Sequence, residues 1–379
     1  MSFILNEEQR LFHQMISEFA KNEIQPIASQ IDRTEEFPYE TVKKMAQNEL
    51  MGIPFEPKYG GAGGDYLSYI VAVNEISKYC ATTGVILSAH TSLGAGCIEE
   101  FGTEAQKQQY LIPLAKGEWI GGFALTEPNA GTDAAGQQTT AEKVGSEYLL
   151  NGNKIFITNG ASADVFIVFA MTSVEKGVKG ISAFIVEKTF DGFDVGKVED
   201  KLGIRASSTA ELIFQDCHVP AENLLGGEGR GFSIAMKTLD SGRIGIAAQA
   251  LGIAEGAFGE SVNYMKERKQ FGRSIAKFQG LQWMLADMDV KIAATRELIR
   301  KAVDLKTSGQ PYSVAAARAK LYSAETAMEV TTKAIQIFGG YGYTKDYPVE
   351  RMFRDAKITE IYEGTSEVQK MIIASAALA

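Results

Sequence analysis

The hydrophobic residues of this 379-residue chain change their spacing twice, and this change most strongly constrains its fold. Up to about residue 120, apolar residues recur at helical intervals, as in Leu11, Met15 and Phe19 after an Asn6 N-cap. Between about 121 and 229, short β-prone runs predict strands instead. From about 230 onward helical spacing returns over longer stretches. The chain is therefore predicted to fold as helices, then strands, then helices again.

This order predicts an α+β fold that is mainly α. Its length suits three domains: an N-terminal α-helical domain, a middle antiparallel β-barrel or sandwich domain, and a C-terminal four-helix bundle, comprising residues 1–120, 121–229 and 230–379. The strands follow one another without intervening helices, which disfavours a parallel dinucleotide-binding sheet. Within the middle domain, Asn151-Gly152 between two β-prone runs predicts a hairpin turn.

Composition disfavours several classes of function. The formal charge of −9 argues against nucleic acid as the main partner. No apolar run reaches the roughly 18 residues of a membrane span, so we expect no membrane insertion. Residues 1–8 lack the pattern of a signal peptide, so we expect a cytoplasmic protein. The three cysteines lack paired spacing and none of the three histidines falls in a metal-ligand pair, which predicts no metal site.

Three segments could hold phosphate groups. Residues 124–133 offer the hydroxyls of Thr126 and Thr132 around Gly131, residues 267–273 combine arginines with a glycine, and residues 336–343 are rich in glycine. Each segment also has an ordinary structural interpretation, as a turn, a cationic helix end and a helix C-cap respectively. The residues alone do not decide between these interpretations.

A single carboxylate, Glu363, lies on a short predicted loop near the C-terminus. We expect a capping box of Ser366 and Gln369 to open the last helix, over about 367–377. A carboxylate just before a helix can simply complement the helix dipole, or it can serve as an acid or base for a substrate. Both interpretations are open at this point.

Taken together, these segments resemble the acyl-CoA dehydrogenase family across nearly the whole chain. The matching runs are Leu125–Asp133, Lys154–Thr158, Asp240–Ile246, Glu267–Arg273, Gln336–Tyr343, Arg354–Ile358 and Ile361–Glu367. The likeness is strongest to bacterial short-chain, butyryl-CoA-oxidising members. It implies the three-domain fold of that family, FAD as the cofactor and a homotetramer. It also implies oxidation of an acyl-CoA to the enoyl-CoA, with electrons passed to electron-transferring flavoprotein.

Residue by residue, the resemblance assigns Glu363 as the base that removes the α-proton while hydride leaves the β-carbon for the flavin. Some members of the family carry this base on the long helix, where the present chain has Gly242. That difference favours the short-chain branch. The resemblance further implies substrate contacts for Thr132, Asp240, Arg243 and Gly364, which gives a role to Arg243, the one charged member of an otherwise apolar or small helix stripe.

The resemblance implies two groups of FAD contacts. The first group belongs to the same subunit and comprises Phe123, Leu125, Thr126, Gly131, Thr132, Phe156, Ile157, Thr158, Thr365 and Glu367. The second group reaches the FAD of a neighbouring subunit and comprises Arg268, Phe271, Gln279, Gln336, Gly339 and Gly340. Phe156 stands where many relatives have a tryptophan.

These matches predict dehydrogenation of butyryl-CoA to crotonyl-CoA, or the reverse reduction, because redox partners set the direction. Residues 85–97 are expected to border the acyl tail. One alternative is an enoyl-CoA reductase for a bulkier, aryl-acrylyl thioester in a flavoprotein complex. The same residues would also fit an acyl-CoA oxidase, or a helical scaffold that has kept the fold and lost activity.

Overall fold

The computed structural model describes residues 5–379, so residues 1–4 of the segment considered for a signal peptide lie outside the described residues. The N-terminal part is helical, with α1 (Glu7–Phe19), α2 (Gln25–Thr34), α3 (Tyr39–Gln47), α4 (Tyr66–Ser77), α5 (Ala81–Ser88), α6 (Gly96–Phe101), α7 (Glu104–Gln106) and α8 (Ile112–Ala115). Among the described residues, none of the helices combines the length and the apolar character that a membrane crossing requires.

Turns of π-helix make several of these helices continuous. They span Ala20–Ile24, Ala89–Ala95 and Lys107–Leu111, and they join α1 to α2, α5 to α6 and α7 to α8. Turns of this kind often occur at functional sites, because the extra residue bulges out of the regular helix. The turn Ala89–Ala95 is fully buried, so its side chains face other parts of the protein.

Helix α1 begins as predicted, but its buried face is different. The Asn6 side chain caps the helix, which confirms the predicted N-cap. Leu11 and Met15 are exposed, whereas Ile16 and Phe19 are buried. The predicted stripe of Leu11, Met15 and Phe19 is therefore wrong for its first two members. Spacing by four alone drifts around a helix of 3.6 residues per turn and does not define the face that packs.

The middle part of the chain forms an eight-stranded mixed sheet. Its strands are β1 (Gly121–Ala124), β2 (Thr140–Val144), β3 (Glu147–Ile157), β4 (Val165–Met171), β5 (Ile181–Glu187), β6 (Phe193–Val198), β7 (Ala210–Pro220) and β8 (Leu224–Leu225). The strand order is β6-β7-β3-β2-β4-β5-β8, and β1 lies beside β4. Most pairs are antiparallel as predicted, but β4 pairs in parallel with β1 and, at one position, with β2.

The sheet folds over onto itself around a shared apolar interior. The ring of Phe166 on β4 stacks on Phe193 of β6, with ring centroids 5.3 Å apart. Tyr148 on β3 meets Phe184 of β5 edge to face at 4.9 Å. Neither pair of strands is adjacent in the sheet, so these contacts cross the interior. The prediction of a barrel or sandwich rather than an open sheet fits this arrangement.

The predicted hairpin at Asn151-Gly152 is wrong. Both residues lie inside the single strand β3, where the register with β7 shifts between Leu150 and Gly152 as in a β-bulge. The hairpin turn is instead Gly145-Ser146, between β2 and β3. Gly152 is needed because its φ is 144° and an added Cβ would lie 2.5 Å from the Thr139 hydroxyl oxygen. Asn-Gly therefore marks a crowded bulge here.

The C-terminal part is again helical, with α9 (Gly231–Glu267), α10 (Gln279–Thr307), α11 (Ser313–Phe338), α12 (Val349–Ile358) and α13 (Ser366–Leu378). A small hairpin of β9 (Lys269–Gln270) and β10 (Arg273–Ser274) separates α9 from α10. Three helices are long and two are short, whereas four long helices were expected. The domain limits at 120/121 and 229/230 stay predictions.

The cap of α13 also differs from the prediction. The N-cap is Thr365, whose hydroxyl accepts a hydrogen bond from the Val368 N–H, and the helix begins at Ser366. The expected capping box of Ser366 and Gln369 does not form. Instead, the Gln369 side chain reaches back to the carbonyl of Gly364, at 2.8 Å. The tertiary position of the preceding loop thus overrides the local capping pattern.

Arg354 on α12 joins the three parts of the chain. It forms an ion pair with Asp32 of α2 at 2.7 Å and donates to the Leu202 carbonyl of the middle part at 3.0 Å. The next residue, Asp355, is buried and accepts a hydrogen bond from the Ile204 N–H. The loop that follows α12 and carries Glu363 is thereby held against the rest of the protein.

We expect Phe184→Ala to lower the free energy of unfolding by about 3–5 kcal/mol, because the ring is fully buried in the interior of the sheet. Urea unfolding followed by circular dichroism measures this loss. Val198→Ala on β6 is the matched control, since Val198 is exposed. Equal unfolding midpoints for the two variants would contradict the folded-over arrangement of the sheet.

Candidate active site

Glu363 lies on a strained turn between α12 and α13. Its φ is 54° and that of Gly364 is 92°, so two successive residues adopt left-handed conformations. Glycine tolerates this region, but glutamate rarely occupies it, and such strained residues cluster at functional sites. The strained backbone therefore marks the turn that carries the Glu363 carboxylate as a candidate functional site.

The Glu363 carboxylate packs directly against helix α9. A Cβ added to Gly242 would overlap Oε2 of Glu363, and it would lie 2.7 Å from Cδ2 of Leu93. Leu93 belongs to the buried π-helical turn Ala89–Ala95. Only glycine at position 242 leaves room for the carboxylate. The structure therefore brings together three segments that are remote in the sequence.

The environment of Glu363 makes its carboxylate unusually basic. The residue keeps partial exposure, but Oε2 is buried and has no hydrogen-bond partner among the described residues. Burial raises the pKa of Glu363 from 4.5 to about 8, and the nearby charges of Lys320 and Arg243 oppose this rise. A base with such a pKa can accept a proton from a weakly acidic carbon.

Arg243 and Asp240 form an ion pair one turn apart on α9, next to Gly242. Arg243 is only 5 % exposed, and its Nε atom has no partner among the described residues. The hydroxyl of Ser313 donates to Asp240 at 2.9 Å. Burial raises the pKa of Asp240, against the effect of Arg243. The arginine of the apolar stripe thus has a partner, and the pair lies beside the carboxylate of Glu363.

On the other side of Glu363, buried polar groups close the space along α9. The hydroxyl of Tyr362 donates to the side chain of Gln249, and the Gln249 amide donates to the Ala81 carbonyl at 2.9 Å. Gln249 lies seven residues after Gly242 on the same helix face, which is about 10 Å at the rise of an α-helix. Neither Gln249 nor Leu93 was singled out from the sequence, although Leu93 lies within the segment 85–97 expected to border the acyl tail.

A cavity of about 190 Å³ opens beside Ser241, the residue before Gly242. Its lining includes Tyr66, Thr91, Glu99 and Lys306. The Tyr66 hydroxyl donates to the Ser241 carbonyl at 3.1 Å, and Lys306 donates to the Ser241 hydroxyl at 2.9 Å. This part of α9 therefore borders a space that is lined by both aromatic and charged side chains.

Most predicted FAD contacts of the same subunit come together at the ends of β1 and β3. The Ile155 N–H donates to the Thr126 carbonyl at 2.9 Å, which places the loop after β1 beside Phe156 and Thr158. Phe156 has a φ of 57° and an exposed ring. An added Cβ on Gly131 would meet nothing within 4 Å. Phe123, Leu125 and Ile157 pack towards the interior, so they offer backbone groups rather than side chains.

A buried ion pair supports this loop and was not foreseen. Lys154 donates to Glu127 at 2.7 Å, to the Leu125 carbonyl at 3.2 Å and to Gln137 at 3.1 Å. Burial lowers the pKa of Lys154 to about 8, against the attraction of Glu127. Removing one partner of a buried ion pair is costly, so the pair of Lys154 and Glu127 holds the loop firmly to β3. The pattern Lys154–Thr158 contained the signal, because the alternation of β3 places Lys154 on the buried face with Tyr148 and Leu150, where an apolar residue is expected.

The second predicted group lies at the far end of the bundle. Arg268 caps the C-terminus of α9, with its guanidinium 5.6 Å from the ring centre of Tyr341. Phe271 lies at the tip of the β9–β10 hairpin with φ 51° and is 92 % exposed. Gln279 begins α10, while Gln336, Gly339 and Gly340 lie at the end of α11. Arg268 is 25 residues along α9 from Arg243, or about 37 Å, so one chain does not bring Arg268 to the predicted substrate contact Arg243.

The last two predicted cofactor contacts lie at the start of α13. Thr365 caps the helix with its hydroxyl, and Glu367 is exposed in the first turn. Gly364, a predicted substrate contact, directs its carbonyl away from solvent, towards the ammonium group of Lys320 at 2.7 Å. Thr132 is exposed on the loop after β1.

Each histidine has a structural partner. His13 contacts Glu75, and His218 contacts Glu147. The ring of His90 accepts a hydrogen bond from the Gly121 N–H, and its other nitrogen donates to the Leu114 carbonyl. Within residues 5–379, no group of His, Cys, Asp and Glu side chains is arranged to hold a metal ion.

Comparison with known protein families shows the family to which this chain belongs. Residues 6–118, 122–217 and 229–378 match the N-terminal, middle and C-terminal domains of acyl-CoA dehydrogenase. The chain belongs to the acyl-CoA dehydrogenase family. It is accordingly an oxidoreductase with the three-domain fold of that family, which confirms the fold predicted from the sequence.

Individual members of the acyl-CoA dehydrogenase family are very similar to this chain. The short-chain specific acyl-CoA dehydrogenase of Clostridium acetobutylicum is 69 % identical over 98 % of both chains. The structure of butyryl-CoA dehydrogenase from Megasphaera elsdenii matches with a TM-score of 0.98 and 53 % identity over 100 % of both chains. A structure from work on the electron transferring flavoprotein of Acidaminococcus fermentans and flavin-based electron bifurcation matches with a TM-score of 0.98 and 57 % identity, again over 100 % of both chains.

The acyl-CoA dehydrogenase family is FAD-dependent, and the residues at the ends of β1 and β3 fit such a group. Thr126, Thr132 and Thr158 offer hydroxyl donors around a glycine with open space beside it. Phe156 presents an aromatic ring at the surface in a strained conformation that packing alone does not require. Hydroxyl donors, open backbone and an exposed ring suit a large ligand with phosphates and a flat ring system.

We expect the carboxyl group of Glu363 to titrate near pH 8 in the ligand-free protein. The folded-state pKa exceeds the usual 4.5, so the folded protein keeps a proton that the unfolded chain loses, and stability falls as pH rises between these values. Infrared difference titration detects the carboxyl band, with Glu363→Gln as reference. The melting temperature of Glu363→Gln should fall less than that of the unsubstituted protein between about pH 5 and about pH 9. A band that titrates near the ordinary value would contradict the burial of this group.

Proposed function

We propose that this protein catalyses the FAD-dependent α,β-dehydrogenation of a short-chain acyl-CoA, such as butyryl-CoA to crotonyl-CoA, with Glu363 as the base. One observation carries the proposal: a buried carboxylate oxygen, which has no hydrogen-bond partner within residues 5–379, lies against the gap that Gly242 leaves in α9. An unpartnered buried carboxylate is costly for folding, so its placement points to chemistry rather than to stability.

The chemistry requires a base of this kind. The α-proton of a thioester is weakly acidic, and a carboxylate with an ordinary pKa would accept it poorly. Burial raises the pKa of Glu363 to about 8, which brings its basicity closer to that of the carbon acid. The positions of Lys320 and Arg243 keep the pKa from rising further, so a useful fraction of Glu363 remains ionised near neutral pH.

The thioester carbonyl needs hydrogen-bond donors, because negative charge grows on its oxygen as the α-proton leaves. The backbone N–H of Glu363 makes no hydrogen bond with another residue in the range 5–379, so it is available as one donor. The rest of the substrate would lie along Asp240, Arg243, Gly364 and Thr132. Gly364 follows Glu363 directly, Arg243 follows Gly242 on α9 and pairs with Asp240, and Thr132 lies on the loop after β1.

FAD would be held by the loop after β1, by Phe156 to Thr158 and by Thr365 and Glu367 at the start of α13. When bound, it accepts the hydride that leaves the β-carbon. The Lys154–Glu127 pair keeps the loop against β3, so the hydroxyls of Thr126 and Thr132 are presented in a fixed arrangement. Phe156, with its exposed ring, lies beside these hydroxyls and would cover the ring system.

A second copy of the chain would complete the cofactor site. Arg268 lies about 37 Å along α9 from Arg243, and Phe271, Gln279, Gln336, Gly339 and Gly340 lie on elements at the same end of the bundle as Arg268. Arg268 and the exposed Phe271 instead suit the FAD of a neighbouring subunit, since a guanidinium binds phosphate oxygens well. We therefore infer a homotetramer of the kind common in the family.

A short acyl tail suits the polar end of the site. A longer apolar tail would have to pass the hydrogen bond between Tyr362 and the buried Gln249. Breaking it would leave the side-chain oxygen of Gln249 without this donor at a cost of about 1–3 kcal/mol. The short-chain and butyryl-CoA specificities of the two dehydrogenases compared above support the same choice.

Electron-transferring flavoprotein is the proposed redox partner. The Acidaminococcus fermentans structure that resembles this chain comes from work on such a flavoprotein. Whether the protein oxidises the acyl-CoA or reduces the enoyl-CoA depends on the potential of that partner, so both directions belong to the proposal.

Glu363→Gln is expected to keep FAD and butyryl-CoA bound while the rate constant of flavin reduction falls by about 10³-fold, because glutamine preserves size but cannot accept the proton. Anaerobic stopped-flow absorbance measures the bleaching of the flavin. Glu360→Gln, which changes a carboxylate on the same loop that pairs with Lys357, serves as the matched control. Rapid bleaching by Glu363→Gln would show that another group is the base.

Gln249→Ala should shift the chain-length preference towards longer tails, because it opens space at the end of the site and frees Tyr362. We expect the ratio of kcat/KM for octanoyl-CoA to that for butyryl-CoA to rise about tenfold, equivalent to about 1.4 kcal/mol. Assays with butyryl, octanoyl and phenylpropionyl thioesters measure the ratio, and Gln14→Ala on exposed α1 is the control. An unchanged ratio would remove Gln249 from the acyl site, and an initial preference for the phenylpropionyl thioester would overturn the short-chain assignment.

A further inference from the structure

Lys320 is a buried lysine on a helix face made of small residues. Its side chain is fully buried on α11, on the stripe with Ala316, Ser323 and Ala327. Lys320 is the single cation in an otherwise apolar or small stripe of α11, as Arg243 is in the stripe of α9. Sequence reasoning identified Arg243 in this way but not Lys320.

The fold gains little from a lysine at this position. The ammonium group donates to one backbone carbonyl, that of Gly364, at 2.7 Å. No carboxylate of residues 5–379 lies within 4 Å of it. Burying a cation without a direct ion pair is unfavourable, and burial lowers the pKa of Lys320 to about 8. A well-packed apolar side chain would stabilise the fold more, so the lysine needs another explanation.

The contact that Lys320 makes is on the strained turn of Glu363. The Gly364 carbonyl accepts from Lys320 and, at 2.8 Å, from the Gln369 side chain. Two donors on one carbonyl fix the orientation of the peptide that follows Gly364. Because Glu363 and Gly364 both have left-handed backbones, this turn would relax if that peptide could rotate. The direction of the Glu363 side chain depends on the turn.

We propose that Lys320 is a positioning residue for Glu363: its ammonium group holds the Gly364 carbonyl, keeps the left-handed turn in place and directs the carboxylate towards the gap at Gly242. The inference rests on the proposed function, in which Glu363 is the base. Lys320 also has a second effect on Glu363, because its positive charge favours the ionised form of the carboxylate.

The charged and titratable groups around this pair define the expected pH dependence. Glu363 is faced by Lys320 from α11, Arg243 from α9, and Tyr66 and Tyr69 from α4, with Tyr362 next to it. Lys320 is also influenced by Glu360 and by Glu367. Burial raises the pKa of Glu363 to about 8 while Lys320 and Arg243 lower it. Removing the charge of Lys320 therefore raises the pKa of Glu363 further.

The test compares Lys320→Met, which removes the charge and the donor, with Lys320→Arg, which keeps both. In the holoenzyme, Lys320→Met should move the pH midpoint of the Glu363 infrared titration up by about one unit or more. Its rate constant of flavin reduction by butyryl-CoA at pH 7 should fall about 100-fold, with KM changed less than threefold, because a misplaced base slows the chemical step. Lys320→Arg should keep the midpoint and recover part of the rate.

Arg318→Met is the matched control, because Arg318 is an exposed cation on α11, two residues away and about 200° around the helix. It should change neither the titration midpoint nor the rate. If Lys320→Met does not fold, Lys320→Gln provides the same comparison with a neutral donor in place of the ammonium group, and its midpoint should also rise.

Two results would overturn the inference. One is a Lys320→Met or Lys320→Gln variant with an unchanged midpoint and rate. The other is an equal loss of thermal stability in the Met and Arg variants with no shift of the midpoint, which would make Lys320 a packing residue only. Glu363→Gln separates this outcome from failure of the proposed function. If Glu363→Gln still reduces flavin rapidly, the base is misassigned. If flavin reduction is slow in Glu363→Gln but unchanged in Lys320→Met, only the inference about Lys320 is contradicted.

Discussion

The close approach of the Glu363 carboxylate to helix α9 at Gly242 is the constraint on which the rest of the site depends. A side chain at position 242 would overlap the carboxylate, so α9 must present a glycine there despite its cost within a helix. The turn must adopt two successive left-handed residues to direct the side chain inward. Leu93 fills the remaining space from a π-helical turn, which brings a residue of the N-terminal helices to the same point. Three remote segments thus meet around one carboxylate.

The electrostatics of the site follow from this burial. Glu363 loses solvation without gaining a direct ion pair, and two cations near it, Arg243 and Lys320, compensate only in part. Each cation is itself buried and has another partner: Arg243 pairs with Asp240, and Lys320 binds the Gly364 carbonyl. A direct salt bridge to Glu363 would stabilise the fold more, but it would lower the basicity of the carboxylate. The arrangement therefore sacrifices stability for a more basic carboxylate, as the proposed function of Glu363 requires.

The loop after β1, which carries predicted FAD contacts, shows a different use of a buried charge. Lys154 and Glu127 form a direct pair, and together they hold the loop after β1 against β3. The strand that contains Lys154 also contains the bulge at Gly152, where the sequence pattern predicted a hairpin. Asn-Gly occurs in both settings because both require a residue that tolerates unusual backbone angles. Which one forms depends on the partner strand, β7, which lies some 60 residues later in the chain.

The sequence by itself determined the order of helical and strand segments, the Asn6 cap and the loop position of Glu363, because these depend on local propensity and spacing. Through resemblance it also predicted residues for the catalytic, substrate and cofactor contacts. Only the tertiary structure decided that Gly242 faces Glu363, that Lys320 holds the next carbonyl, and that Thr365 rather than Ser366 caps the last helix. The physical reason is that burial, pKa and backbone strain arise from contacts between segments far apart in the chain, which local spacing does not encode.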